Sequence, residues 1–373
     1  MRILVAPLDW GLGHATRCIP IVKYLLEKEC EIIIGAGGRS LQLLQKEFPR
    51  LECISMPGYD ISYHENGSMA LKMAAQIPKI LSGIKQEHRL LKNIIADKKI
   101  NAVISDNRFG LWSKEVPCVF ITHQMMIKSP FGESLIHILN KRYVSKYSEC
   151  WIPDIQDGET GFSGELAHRF PLPKNAKFIG LLSRFSSATQ DRKIRNGLLV
   201  ILSGPEPQRT IFEKTILDEL KNIPLNPPSK GELTAFIVQG ITEKNERKRV
   251  SENIEMVSYL TSAELQEEII ASEVILSRSG YSTIMDMAIL GKKAIFVPTP
   301  GQTEQEYLAN YLSEKKIAYS VDQNKFDLAT ALKESENHTG FTPPVPREEF
   351  KKAVNLFLEK ANISTLRIDS SSA

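Results

Sequence analysis

The sequence predicts an α/β protein of two doubly wound, Rossmann-like domains facing each other across a cleft. Three observations carry this: a length of 373 residues, short apolar runs alternating with longer amphipathic segments, and a restart of that alternation half-way along. At roughly 100–200 residues per domain, such a length calls for two domains rather than three. Hydrophobic residues make up 42% and charged residues 24% of the chain. That composition suits a soluble globular protein and excludes disorder as the main state. Lys+Arg number 47 and Asp+Glu 44, for a formal net charge of +3. Near-balance of this kind gives no support to a nucleic-acid binder.

In the first half the candidate strands are Ile3–Ala6, Glu31–Ile34, Glu52–Ser55, Ala102–Ser105, Cys118–Thr122 and Cys150–Ile152. Each is short and apolar throughout, as expected of strands covered on both faces. Between the first two, Ala15–Lys28 carries Ile19, Val22, Leu25 and Leu26 at helical spacing, which begins a βαβ unit and a parallel sheet. Strands restart at Leu198–Leu202, Ala235–Val238, Glu255–Val257, Val274–Ser277, Ala294–Val297 and Ala318–Ser320. Helical patterns intervene at Thr210–Leu220, Ser262–Ala271, Thr283–Leu290 and Glu304–Lys315. The halves join near 173–190, and Pro224–Lys230 reads as an exposed loop. A ligand is expected in the cleft, at the carboxyl ends of the strands.

Five cysteines, Cys18, Cys30, Cys53, Cys118 and Cys150, form no CxxC pair, so neither a zinc ribbon nor a thioredoxin-type site is indicated. The short apolar start, Met1–Pro7, does not read as a signal peptide. No run approaches the roughly 20 apolar residues that span a bilayer. The expected setting is cytoplasmic.

The first strand runs into Pro7-Leu8-Asp9-Trp10-Gly11-Leu12-Gly13-His14-Ala15-Thr16-Arg17. Gly11 and Gly13 permit a tight turn and close approach to the backbone. Thr16 replaces the third glycine of a dinucleotide fingerprint, which weakens a nicotinamide reading. His14, at the entrance to the helix, either takes a proton from a bound hydroxyl or hydrogen-bonds its own loop. The fourth strand ends in Ser105-Asp106-Asn107-Arg108. Asp106 emerges at the same sheet edge, where it either orients His14 as a dyad partner or caps a helix and pairs with Arg108. Asn107 belongs to the same cluster. His123 leaves the next strand at that edge, facing a ligand or making a structural hydrogen bond.

In the second half, Ser277-Arg278-Ser279-Gly280-Tyr281-Ser282 joins a strand to a helix. Such a turn offers backbone N–H groups and a helix N-terminus to an anion. Ser279 and Ser282 add hydroxyls and Arg278 adds charge. Asp286, one turn on, either grips a ribose diol or stabilises the helix N-terminus. Val297–Ala309 makes another strand-to-helix junction, where Gln305 and Glu306 match the donor and acceptor pattern of sugar hydroxyls. Leu202–Arg209 follows the first strand of this half, and its Gly204 and Arg209 face a phosphate or make a surface turn.

Together these segments resemble a GT-B nucleotide-sugar glycosyltransferase of glycosyltransferase family 28, which includes MurG-like enzymes and diacylglycerol galactosyltransferases. The resemblance spans both halves and is strongest from Ser277 to Ala309, in Ser-Arg-Ser-Gly and Glu-Gln-Glu-Tyr-Leu-Ala. It implies Ser279 and Gly280 on the donor diphosphate, Asp286 on the ribose, and Gln305 and Glu306 on the donor sugar. Gly11-Leu12-Gly13-His14 is similar to the family's N-terminal glycine turn and histidine. The donor implied is a UDP-sugar. Leu12 stands where MurG-like turns carry a glycine, Gly204-Pro205-Glu206-Pro207 replaces a glycine-rich loop, and Glu306 replaces a second glutamine. Peptidoglycan synthesis is therefore not carried over.

The resemblance further implies an acceptor-binding domain at 1–177 and a nucleotide-sugar domain at 178–346. A helix at about 347–362 returns to the first domain, and 363–373 is a flexible tail. The expected reaction is inverting displacement of a hexosyl or N-acetylhexosaminyl group, with His14 as base, Asp106 orienting it, and Arg209 beside the departing diphosphate. No DxD element ends a strand, so neither metal nor cofactor is expected. The expected partners are a UDP-sugar and a glycan or lipid-linked acceptor, with no nucleic acid. Met69–Ile84, Met125–Phe131 and Leu135–Tyr143 mix apolar and basic residues, as core helices do and as segments on the inner face of a membrane do. Competing readings on the same scaffold are a UDP-sugar 2-epimerase and a noncatalytic UDP-sugar or glycolipid-binding subunit.

Overall fold

The computed structural model describes residues 1–59, 69–127, 133–186, 194–222, 234–343 and 348–371. The loop expected at 224–230 and residues 128–131 of one amphipathic stretch lie outside them. The chain divides into two compact units, Met1–Leu182 with Pro346–Ala373, and Ser183–Val345.

The first unit runs β1 (Arg2–Pro7), α1 (Leu12–Glu27), β2 (Glu31–Ala36), α2 (Gly38–Glu47), β3 (Glu52–Ser55), α3 (Met69–Lys98), β4 (Ala102–Asp106), β5 (Cys118–Ile121), α4 (Glu133–Val144), β6 (Glu149–Ile152), a single turn α5 (Glu165–His168) and β7 (Ala176–Phe178). Its seven strands lie in the order β3-β2-β1-β4-β5-β6-β7, all parallel. The order reverses between β1 and β4. That crevice is where ligands bind in open α/β sheets. The register sets Pro7 opposite Asp106, so the loops leaving β1 and β4 start side by side. Ile3, Leu4, Val5, Ile33, Val103, Ile104, Val119 and Phe120 are fully buried, as a sheet covered on both faces requires.

The second unit runs β8 (Asn196–Ile201), α6 (Gln208–Asn222), β9 (Ala235–Val238), β10 (Arg247–Ser251), β11 (Ile254–Val257), α7 (Ser262–Ile270), β12 (Ser272–Ser277), α8 (Tyr281–Leu290), β13 (Lys293–Phe296), α9 (Thr303–Glu314), β14 (Tyr319–Ser320), a 3-10 turn at Gln323–Lys325 and α10 (Leu328–Ser335). The order is β10-β11-β9-β8-β12-β13-β14, with the switch point between β8 and β12. Its core gathers Leu198, Val200, Phe212, Leu276, Ile295 and Phe326. Thr261 and Glu264 form a capping box that starts α7.

Three features depart from the sequence reading. β10 pairs antiparallel with β11 and every one of its residues is exposed; Arg-Lys-Arg-Val-Ser carries no apolar run, and charge on an edge strand discourages pairing with another chain. β7 was hidden because three half-buried residues give too short a pattern. The stretch expected to be a flexible tail from 363 is helical: the last helix, α11, spans Glu349–Ser371. No glycine or proline follows Pro346 to stop it.

α11 packs on the first unit. Phe357 meets the Trp151 ring edge-on at 5.7 Å, and Tyr24 Oη donates to Asn355 Oδ1 at 3.1 Å. Lys360 Nζ lies 2.5 Å from Glu149 Oε1. Glu149 also accepts from Lys177 and from Trp151 Nε1, so α11, β6 and β7 converge on one carboxylate.

Candidate active site

At the first switch point, Gly11 caps α1 with φ +77° and ψ 168°, a conformation that is nearly glycine-only. This turn starts the helix early enough to put His14 in its first turn. His14 Nδ1 lies 2.7 Å from Asp106 Oδ1. Asp106 is fully buried. Burial alone would raise its pKa, but Arg17, followed by His14, outweighs burial and holds it at about 2. An ionised carboxylate only accepts, so His14 carries its proton on Nδ1 and presents a basic Nε2. Gly13 sits between these residues in the first turn, and its carbonyl accepts from Thr16 Oγ1 at 3.0 Å.

Arg17 is the residue of this site that sequence reasoning missed. Its Nε and Nη2 donate to the two oxygens of Asp106 at 2.6 and 2.5 Å. Its Nη1 lies 2.9 Å from Nδ1 of His123, a buried ring. The signal was present: Arg17 stands three residues after His14, hence on the same helix face. The pairing of Asp106 with Arg108 does not occur. Arg108 turns to Glu87 (2.7 Å) and to the carbonyls of Pro7, Met56 and Pro57. Asn107 sits at the turn after β4 with φ +57°, a left-handed conformation that asparagine tolerates.

At the second switch point, α8 begins at Tyr281 with Gly280 as its N-cap, without a side-chain cap or an acidic residue in the first turn. A Cβ added to Gly280 would meet no atom within 4 Å. The helix start therefore opens onto space, and packing does not require this glycine. Ser282 is half-buried in that first turn. Ser279 is buried and donates to the Gln305 carbonyl at 2.8 Å. Gly204, at φ +106°, turns the loop after β8, and the nearest group to its missing Cβ is Thr299 Oγ1 at 3.5 Å.

Several side chains expected to face a donor are engaged within the unit. Arg278 is almost fully buried, donates to the carbonyls of Val297, Pro298 and Gln208 and to Gln323, and lies 4.1 Å from the Phe212 ring centroid. It ties four segments together behind the turn rather than projecting charge from it. Arg209 is matched by Glu206 and Glu213 at 2.5 and 2.6 Å, which cancel the charge expected to face a phosphate. Asp286 accepts from Ser183 Oγ at 2.5 Å and from Arg184 Nε at 3.2 Å. Burial raises its pKa against the opposing pull of Arg184. Gln305 Oε1 accepts from Thr299 N, and Glu306 Oε1 from Gly301 N, so both side chains shape the loop before α9. Among the described residues no group of three His, Cys, Asp or Glu is placed to hold a metal ion.

With this geometry in place, comparison with known proteins shows what the chain is similar to. Residues 199–358 match the glycosyltransferase family 28 C-terminal domain. A curated relative from Ruminiclostridium cellulolyticum, UDP-N-acetylglucosamine--N-acetylmuramyl-(pentapeptide) pyrophosphoryl-undecaprenol N-acetylglucosamine transferase, is 24% identical over 344 residues, 88% of each chain. Residues 199–358 thus carry a glycosyltransferase family 28 C-terminal domain. Among solved structures similar to this chain is MurG of Acinetobacter baumannii, with a TM-score of 0.52, 13% identity and coverage of 96% of this chain and 99% of that one. The UDP-GlcNAc 2-epimerase of Neisseria meningitidis gives a TM-score of 0.58 at 13% identity, covering 96% and 100%. These two show the fold, GT-B with two Rossmann-like units, and not the reaction. The chain is thus a glycosyltransferase in which each sheet carries its polar loops at its own switch point.

Proposed function

We propose that this enzyme transfers a hexosyl or N-acetylhexosaminyl group from a UDP-sugar to an acceptor hydroxyl with inversion, and without a bound metal. The observation that carries the reading is the His14–Asp106 contact at 2.7 Å, with Nε2 left as the basic nitrogen. In this reading the acceptor O–H gives its proton to His14 Nε2 as its oxygen bonds to the anomeric carbon. The bond from that carbon to the diphosphate oxygen breaks, and UDP leaves with the electron pair. The uncapped first turn of α8, at Gly280 and Ser282, stabilises the departing charge through N–H groups and the helix dipole. The resemblance sets Asp286 on the ribose and Gln305 and Glu306 on the sugar, which each would reach by exchanging its present partner, Ser183 and Arg184, Thr299 or Gly301, for the donor. The UDP-linked donor in the name of the Ruminiclostridium cellulolyticum relative supports the choice of nucleotide.

The acceptor is read as a glycan or a lipid-linked saccharide met at a membrane surface. On α4, Ile138 and Leu139 are 61% and 42% exposed and are followed by exposed Lys141 and Arg142. Phe170, 40% exposed, packs on His137 at 4.5 Å and neighbours Arg169. Apolar tips flanked by cations suit an anionic lipid surface. No helix among the described residues is long and apolar enough to cross a membrane. Co-sedimentation with phosphatidylglycerol vesicles that falls with salt supports this; binding indifferent to lipid charge and salt removes it.

The deciding experiment is a donor-hydrolysis screen with several UDP-sugars, then acceptor extracts, on wild type and His14→Ala. Turnover falls about 10²-fold or more in the variant while UDP affinity by calorimetry is retained. Equal loss of both makes His14 a donor-binding or structural residue. Loss of turnover in excess chelator, restored by Mn²⁺ or Mg²⁺, overturns metal independence. Release of ManNAc or its UDP derivative from UDP-GlcNAc without acceptor marks an epimerase.

A further inference from the structure

Asp106 is bound more fully by Arg17 than by His14. The guanidinium takes both carboxylate oxygens, at 2.6 and 2.5 Å, in the bidentate fork that fixes orientation as well as distance. Arg17 is 2% exposed and Asp106 fully buried, so the pair is weakly screened. Arg17 Nη2 also comes within 3.0 Å of His14 Nδ1, with both nitrogens turning a hydrogen to Asp106 Oδ1. A carboxylate facing a histidine alone raises the ring's affinity for a second proton. Here that carboxylate is already balanced by a cation touching the same ring.

We infer that Arg17 is a positioning residue for proton transfer: its fork holds Asp106 in the rotamer that receives the His14 Nδ1 proton, and its charge lies against that same ring nitrogen. The inference rests on His14 being the base. The charged and titratable groups facing His14 are Asp106 from β4, Arg17 from α1 and, through Arg17, His123 from the segment after β5. Since a guanidinium has no lone pair, His123 accepts at Nδ1. Cys18, next in sequence, is held protonated because burial pushes its thiol well up. A merely structural Arg17 would hold α1 to the sheet without governing how His14 titrates.

The test is histidine titration and tautomer by long-range ¹H–¹⁵N spectra of the full chain, with His14 assigned from His14→Ala. In Arg17→Gln the His14 midpoint rises by about 1 unit, the size expected when an adjacent charge is removed. In Arg17→Lys, which keeps the charge and loses the fork, the midpoint stays near that of wild type while the Nδ1–H tautomer loses population and kcat falls with KM unchanged. A folded Arg17→Gln whose midpoint is unmoved or lower overturns the inference. Should Arg17→Gln not fold, Arg17→Lys decides, and wild-type tautomer and kcat there overturn it. Turnover persisting in His14→Ala instead removes the base reading and leaves the titration result standing, so the two failures are distinguishable.

Discussion

Ser279 Oγ donates to the Gln305 carbonyl at 2.8 Å, although 26 residues separate them. The bond ties the turn after β12 to the first helical turn after β13. Two residues that the family resemblance puts on the donor are therefore joined before any donor arrives, and the loops are built in advance. Preorganisation of this kind improves affinity by removing an ordering cost from the binding step.

Breaking that tie has a measurable cost. Ser279→Ala is expected to weaken UDP binding by about tenfold, the worth of one buried hydrogen bond. Gln305→Ala removes a side chain that shapes the same loop, so the two losses should combine less than additively in a double-mutant cycle. Full additivity by calorimetry would show two independent contacts.

Gly11 and Gly280 should respond oppositely to alanine. Gly11 sits at φ +77°, and Gly11→Ala stores strain of about 1–3 kcal/mol, seen as a lower melting temperature. Gly280 has φ −68° and space around it, so Gly280→Ala keeps the melting temperature and loses UDP affinity as its methyl covers the helix start. Equal melting losses in both would contradict this difference.

The stability contributed by Asp106 follows acid pH. Its folded pKa of about 2 lies below the ordinary aspartate value of about 3.9. Its contribution, about 2 kcal/mol, is therefore fully present above about pH 4 and is lost as pH falls through about 2. Urea midpoints of wild type and Asp106→Asn should lie well apart at pH 7 and converge between pH 4 and 2. A gap that stays constant across that range would refute the assignment.

Phe357→Ala, which removes the ring against Trp151, should cost about 3–5 kcal/mol. The damage should appear in the first unit: limited proteolysis is expected to cut there first, with cleavage within 183–345 unaltered.

The fold was legible because buried parallel strands leave apolar runs, as Ile3–Ala6 and Ala235–Val238 do. β10 left none, since an exposed edge strand is written in charge. At the site, His14 and Asp106 could be named from sequence because each directly follows a strand that reaches the switch point. Ser183 and Arg184 could not be connected to Asp286, which lies 103 and 102 residues away. The engagement of Arg209 with Glu206 and Glu213 was readable as i,i+3 and i,i+4 spacing, and the prospect of a phosphate partner hid it.

The placement of α11 gives the chain an order of completion. A ribosome releases residues from the amino end, so the second unit emerges whole while the first still lacks its last helix. Trp151, Tyr24 and Glu149 wait for Phe357, Asn355 and Lys360, which leave the tunnel after the whole of the second unit. A chain stalled short of α11 carries a finished second unit attached to an unfinished first one. The 23 residues of α11 thus close a unit whose other elements were made before the second unit began.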